Sequence, residues 1–231
     1  MRVTRFANLI LASALVAFAS TPAQAELLLE KLVVEFNDGR RVDDIEVSNE
    51  GSERMFVSIE PARILNPGAS AERIVNPNPE ELGLLASPSK MILEPGQRKL
   101  IRIVALTTAQ EREEVFRVLV RPVSAPDEPE ATGLRIMVGY DVLVLVRPEN
   151  PLRRVEGHFE DGKLHVSNHG NTSIEILSGE QCAVKGSDDC VALPGKRLYA
   201  GQAHIFELEN DQPVRFNVKY PDGVQQIEFK G

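Results

Sequence analysis

The sequence predicts an all-β protein built of two sandwiches, and three observations carry the prediction. Short runs of β-branched and apolar residues alternate with Gly, Pro, Asn and Asp turn signals almost throughout. Hardly any segment shows the 3.6-residue period of an amphipathic helix. About 205 residues follow an N-terminal leader, more than one ordinary domain and enough for two sandwiches of about 100 residues each.

The elements follow in chain order. Residues 1–25, MRVTRFANLILASALVAFASTPAQA, combine Arg2 and Arg5, an apolar run ending at Phe18, and the small-x-small site Ala23-Gln24-Ala25. This predicts a Sec-type signal peptide cleaved after Ala25. The apolar run is shorter than the ~20 residues a membrane span requires, and no later segment is long and uncharged enough, so the chain is expected to be exported without membrane insertion. LLLEKLVVEF before Asn37-Asp38-Gly39, RVDDIEVSN before Glu50-Gly51-Ser52, and MFVSIEPARIL before Asn66-Pro67-Gly68 each read as a strand closed by a turn. SKMILEP, KLIRIVAL and EEVFRVLVRPV continue the series. The acidic TTAQEREE segment is the one place where a helical turn is expected.

After the loop SAPDEPEATG comes the most informative run, LRIMVGYDVLVLV, residues 134–146. Leu134, Ile136, Val138, Tyr140, Val142, Val144 and Val146 alternate strictly, which places them on one face of an extended strand. The other face starts with Arg135, Gly139 and Asp141 and turns apolar at Leu143 and Leu145. Ordinary strands run about 5–6 residues. One this long either switches sheets within its own domain or projects beyond it, and a projecting apolar strand is an aggregation hazard or a means of pairing with another chain.

Two prolines in Arg147-Pro148-Glu149-Asn150-Pro151 break the pattern. The expected organisation is therefore a leader at 1–25, a first domain at 26–147, a linker at 148–152 and a second domain at 153–231. The second domain repeats the strand-and-turn texture in HFEDGKLHVSNHGN, SIEILSGEQC, KRLYAGQAHIFELE and VRFNVKYPDGVQQIEF. It holds the two cysteines of the chain, Cys182 and Cys190. In an exported protein so close a pair is most simply a disulfide, since a metal site would lack ligands.

The chain carries 34 acidic against 26 basic side chains, a net charge of −8, and loss of the leader's two arginines makes it more acidic still. Nucleic acid and anionic membrane are thereby disfavoured as partners. His165 and His169 have a helical chelating spacing but fall in a strand and a turn, so neither a metal nor a cofactor is expected. No nucleophile elbow, phosphate loop or HExxH is present. Asn171-Thr172-Ser173 has the form of a glycosylation sequon and reads better as a turn cap. By elimination the protein binds something and is no enzyme.

The mature N-terminus LLLEKLVVEF, the segment SPSKMILEPGQRKLIRI, EREEVFRVLVRPV and the long strand running into Arg147-Pro148 together resemble the periplasmic chaperones of chaperone–usher pilus assembly. QCAVKGSDDCVALPGKRLY, with its cysteine pair, is most similar to their alternate, or colonisation-factor, branch. The resemblance implies two immunoglobulin-like domains in an L-shaped arrangement. It implies that pilin subunits are the partners, each lacking a strand that the chaperone supplies through Leu134, Ile136, Val138 and Tyr140, and that an outer-membrane usher receives the complex. It leaves open a homodimer in which free chaperones cap their own strands. An Arg and a Lys that hold the pilin's C-terminal carboxylate in many such chaperones align here with Val33 and Leu143, so Lys31 and Arg121 become the candidate anchors. An acid–Arg–acid cluster between the domains would be formed by Glu113, Arg147 and Asp222. The alternative is a secreted two-domain protein recognising a glycan or peptide through its loops, which calls for aromatic loop tips. The chain has no Trp and three Tyr.

Overall fold

The computed structural model describes residues 26–68, 70–107, 111–125, 136–182 and 189–230. The expected leader, Leu134 and most of the loop before it lie outside the described residues. The first sandwich comprises β1 (Leu27–Leu29), β2 (Val33–Phe36), β3 (Val42–Asn49), β4 (Met55–Leu65), β5 (Glu72–Ile74), α1 (Pro79–Leu82), β6 (Leu84–Ser87), β7 (Lys90–Leu93), β8 (Arg98–Ala105), β9 (Glu114–Val123) and β10 (Tyr140–Val146). One of its sheets runs β1-β3-β8-β6, and the other runs β2-β10-β9-β4-β5 with β7 also on β4. Every pairing is antiparallel except β2 with β10.

The first expected strand is split by the sheets it serves. Leu27–Leu29 pairs with β3, and after three residues the chain crosses to the opposite sheet, where Val33–Phe36 pairs with β10. Inner-facing rows at period two build the core: Ile45 and Val47 from β3, Ile101 and Ile103 from β8, Phe116, Val118 and Val120 from β9, Val142 and Val144 from β10. Leu143 and Leu145 face the other way, into a separate buried cluster with Val115 that packs on Ile64 and on Tyr199 of the second domain. That explains why the end of the strand is apolar on both faces.

The helical turn lies elsewhere than the sequence suggests. Pro79–Leu82 forms α1, capped by the Asn78 side chain, which accepts from the Glu80 amide, and closed by Gly83 at φ 91°, whose N–H returns to the Pro79 carbonyl. Local capping outweighs the charge pattern that favoured residues 107–114, whose described part contains no helix.

The second sandwich comprises β11 (Val155–Glu160), β12 (Lys163–Asn168), β13 (Ile174–Cys182), β14 (Cys190–Leu193), β15 (Lys196–Leu198), β16 (Ala203–Glu207), β17 (Val214–Tyr220) and β18 (Gly223–Phe229). Its sheets run β11-β12-β16 and β14-β13-β17-β18, with β15 also on β13. Leu164, Val166, Ile174, Ile176, Phe206, Phe216 and Val218 fill the space between them. Cys182 and Cys190 form a disulfide that joins the end of β13 to the start of β14. Among the described residues no helix is long and apolar enough to cross a membrane.

Candidate functional site

The ladder between β9 and β10 starts at Tyr140, opposite Val120, so residues 136–139 stand outside it. The alternation still carries through. Ile136 and Val138 share the parity of the inner row Tyr140, Val142, Val144 and Val146, but they lie beyond the β9–β10 ladder, beside Met55, Phe56, Pro122 and Val123 at the sandwich edge, and are 79 % and 54 % exposed. Tyr140 is the transition point: its ring packs on the core, and its hydroxyl donates to the Leu27 carbonyl at 2.9 Å. Gly139 fits where no side chain would, because a Cβ there would stand 2.7 Å from Arg121 Cβ and 3.0 Å from the Val120 carbonyl oxygen. The free edge of β10 is also defined. β2 pairs with residues 143–146, leaving Tyr140, Asp141 and Val142 with β9 on one side and no strand on the other among the described residues.

Val33 and Leu143, the positions expected to carry the anchoring Arg and Lys, are direct neighbours in the parallel ladder. Neither is charged, and Leu143 is 5 % exposed beneath the domain junction. The two substitute candidates are not brought together. Lys31 precedes β2 and its Nζ lies 3.0 Å from Asp43 of β3, on the opposite sheet, where Arg40 also reaches. Arg121 lies beside Gly139 and pairs with Glu60 at 3.1 Å. Its hydrogen bond, after that from Ser58, holds the Glu60 carboxyl below its ordinary pKa.

Sequence reasoning missed a third cation. Arg117 is the antiparallel partner of Leu143, so its side chain leaves the same sheet face one strand over. Its Nη1 donates to the Asp141 carbonyl at 3.0 Å, and Arg73 Nη2 reaches both Asp141 carboxylate oxygens at 2.7 and 2.6 Å. This face therefore already holds one carboxylate between two guanidinium groups. The register of Arg117 against Leu143 was the signal, and it follows only once the β9–β10 pairing is known.

At the junction of the domains Arg147 is buried, and its Nη1 donates to Glu113 Oε2, Thr172 Oγ1 (2.8 Å), the Ser173 carbonyl (2.9 Å) and Ser173 Oγ (3.0 Å). Its Nη2 donates to Glu35 Oε2 at 2.8 Å, and Lys219 of the second domain holds Glu35 Oε1 at 3.0 Å. Burial pushes the Glu35 carboxyl up, but the hydrogen bonds and charges of Arg147 and Lys219 outweigh it and leave the pKa below 4.5. The expected third member, Asp222, is not in this cluster. It sits in the β17–β18 turn and is engaged by Arg153, which also lies over the Tyr220 ring. Glu35, the lone acid of VVEF, takes that place. Asn171 does more than cap a turn: its Nδ2 donates to the carbonyls of Glu111 and Asn150, tying both domains to the connecting segment.

Residues 26–151 match the family described as "Pili and flagellar-assembly chaperone, PapD N-terminal domain". The chain belongs to this chaperone family. Its curated relatives include a CS1 fimbrial protein of Escherichia coli, 24 % identical over 193 residues covering 78 % of this chain and 80 % of the relative. A CFA/I fimbrial protein of the same organism is 25 % identical over 193 residues, 79 % and 80 % of the respective lengths. Both accord with the colonisation-factor branch. The class 5 fimbriae chaperone CfaA superposes with a TM-score of 0.65 at 21 % identity, over 89 % of this chain and 99 % of that one. The SafB chaperone of Salmonella enterica, solved with the SafA pilin, superposes at 0.62 and 15 % identity, over 91 % and 99 %. These likenesses establish the fold of a two-domain, immunoglobulin-like pilus-assembly chaperone.

Proposed function

We propose that this chaperone acts in the periplasm by binding, not catalysis, lending the strand at residues 134–140 to a pilin and passing the complex to an outer-membrane usher. The observation that carries the reading is the pair Ile136 and Val138, large apolar side chains held in solvent in line with a core row and followed by an open strand edge. A strand so placed can continue into another protein's sheet, with main-chain hydrogen bonds for affinity and alternate side chains for pockets. Left uncovered it would pair with other copies of itself, and a self-capped homodimer is one way the free protein can hide it.

Burial of each plug contributes about 1.5–3 kcal/mol, against an association cost of about 4–15 kcal/mol. The plugs alone do not suffice, so a second attachment is required. We assign it to Arg117, helped by Arg73, in place of Lys31 and Arg121. Lys31 is turned to β3, and Arg121 lies four residues further along β9, about 14 Å at ~3.4 Å per residue. In the free protein Asp141 occupies these arginines, standing in for the terminal carboxylate of a pilin.

The test is co-expression with candidate pilins, any encoded near this gene first, comparing wild type with an Ile136→Asp, Val138→Asp double variant by size exclusion. A one-to-one complex formed by wild type and lost in a folded double variant is expected. Complexes with both forms would move the contact off this strand, and no complex with any neighbouring pilin would favour the loop-binding alternative.

A further inference from the structure

We propose that His158, Glu160 and His165 form a binding site for a divalent transition-metal ion, Zn²⁺ or Cu²⁺, on the outer face of the second sandwich. The three residues come together through the register of a hairpin closed by the two-residue turn Asp161-Gly162. His158 of β11 and His165 of β12 are direct partners in the antiparallel ladder, and Glu160 follows His158 by two residues on the same face. The imidazole rings stack with centroids 4.8 Å apart and planes 14° from parallel. Glu160 Oε2 lies 3.8 Å from Nε2 of each histidine, and the three donor atoms all lie within 4.8 Å of one another.

Two donors on one tetrahedral zinc, with bonds of about 2.0–2.1 Å, stand about 3.3 Å apart. Small rotations about the side-chain torsions close that difference, while the ladder fixes the backbone. The surroundings leave the carboxylate free for this task. Lys163, the partner of Glu160 in the ladder, sends its Nζ 2.9 Å from Glu207 of β16 instead. Ile205, which flanks His165 on the other side, is apolar and 46 % exposed, so it supplies no competing donor and leaves room above the site. The neighbouring His169–Glu156 pair, 3.6 Å apart, has no second imidazole, and its carboxylate is held by Arg154 at 2.9 Å.

Two imidazoles and one carboxylate suit zinc and copper, and not calcium or magnesium, which prefer all-oxygen ligand sets. Three protein ligands leave at least one position for water or for a donor from another molecule. An ion here would clamp β11, an edge strand, to β12. Because the site is assembled only in the folded domain, metal would raise the apparent stability.

The test is calorimetric titration of tag-free, chelator-treated protein with ZnCl₂ and separately with CuCl₂, together with melting in the presence and absence of each metal. One saturable equivalent of at least one metal is expected, with a rise in Tm. His158→Ala and His165→Ala should each weaken binding about tenfold or more, since even loss of an outer-sphere partner costs about 10–100-fold. The double variant should bind no metal at this site while melting like wild type without metal. A His169→Ala, His204→Ala control should titrate like wild type. Absence of saturable binding by wild type, or binding that survives the His158→Ala, His165→Ala double variant, would overturn the proposal.

Discussion

Glu35 and Arg147 are 112 residues apart in sequence and 2.8 Å apart in space, and with Glu113 they set a buried charge at the junction of the two sandwiches. Glu113 and Arg147 are almost wholly inaccessible, and Glu113 also accepts from the Ser173 amide at 3.0 Å. The cluster thus ties the last residues before β9 and after β10 to the start of β13. Arg147→Ala should destabilise the protein by about 3–5 kcal/mol in urea or thermal unfolding, because it leaves a buried carboxylate unpaired. Glu35→Gln should cost less, as Glu113 keeps its partner. Asp222→Asn, at a surface pair with Arg153, should stay within about 1 kcal/mol of wild type. Equal costs for Asp222→Asn and Glu35→Gln would contradict the arrangement.

Acid should loosen the same junction. Glu35 has a folded pKa below its ordinary 4.5, so folding favours its ionised form. Its contribution to stability is complete above about pH 4.5 and is lost as pH falls through the lower, folded value. Unfolding followed from pH 7 to pH 3 should show a smaller fall in stability for Glu35→Gln than for wild type. A parallel pair of curves would mean that Glu35 titrates alike in both states.

Much of the first sandwich was legible in the sequence because its signals are local. The period-two row through Val142, Val144 and Val146 gives their burial directly, and the second apolar row at Leu143 and Leu145 reflects a real second contact. What stayed hidden depends on register between distant strands. Arg117 falls beside Leu143 and Glu35 reaches Arg147 only after the pairing of β9 with β10 and of β2 with β10 is fixed. Asp222 was misplaced for the same reason, since nothing in YPDG says which arginine crosses to it. Residues 72–87, with β5, α1 and β6, were obscured because two three- or four-residue strands and a single helical turn are too short to show a period.

Tyr140→Phe isolates the tie between the start of β10 and β1. Loss of the hydroxyl removes one hydrogen bond to the Leu27 carbonyl and leaves the ring in place. A loss of about 0.5–1.5 kcal/mol in chemical denaturation is expected, with the fold otherwise intact by circular dichroism. No change in stability would mean that water serves Leu27 equally well.

Gly139→Ala tests the close approach of the lent segment to β9. The added methyl would meet Arg121 Cβ and the Val120 carbonyl, neither of which is the yielding tip of a side chain. Overpacking of this kind costs about 1–3 kcal/mol, and it should push residues 136–139 away from the sheet. Pilin capture should weaken along with stability. A variant that melts like wild type and captures pilin equally would mean that residue 139 does not approach β9 this closely.

The proposed anchor on this face is tested by comparing the arginines near it. Arg117 and Arg73 meet at Asp141, and Arg121 stands apart with Glu60. Arg117→Ala should reduce recovery of the pilin complex, and Arg73→Ala should do so more mildly, because the terminal carboxylate would lose one of two cations. Arg121→Ala should leave recovery near wild type. Asp141→Asn provides the converse: removing the internal carboxylate frees both arginines, so capture should hold or improve. Amidating the pilin's C-terminus should weaken binding to wild type but not weaken binding to Arg117→Ala any further if both changes remove the same contact, a comparison read by double-mutant cycle in which independent effects would add. Full additivity, or a larger loss for Arg121→Ala than for Arg117→Ala, would return the anchor to the far end of β9.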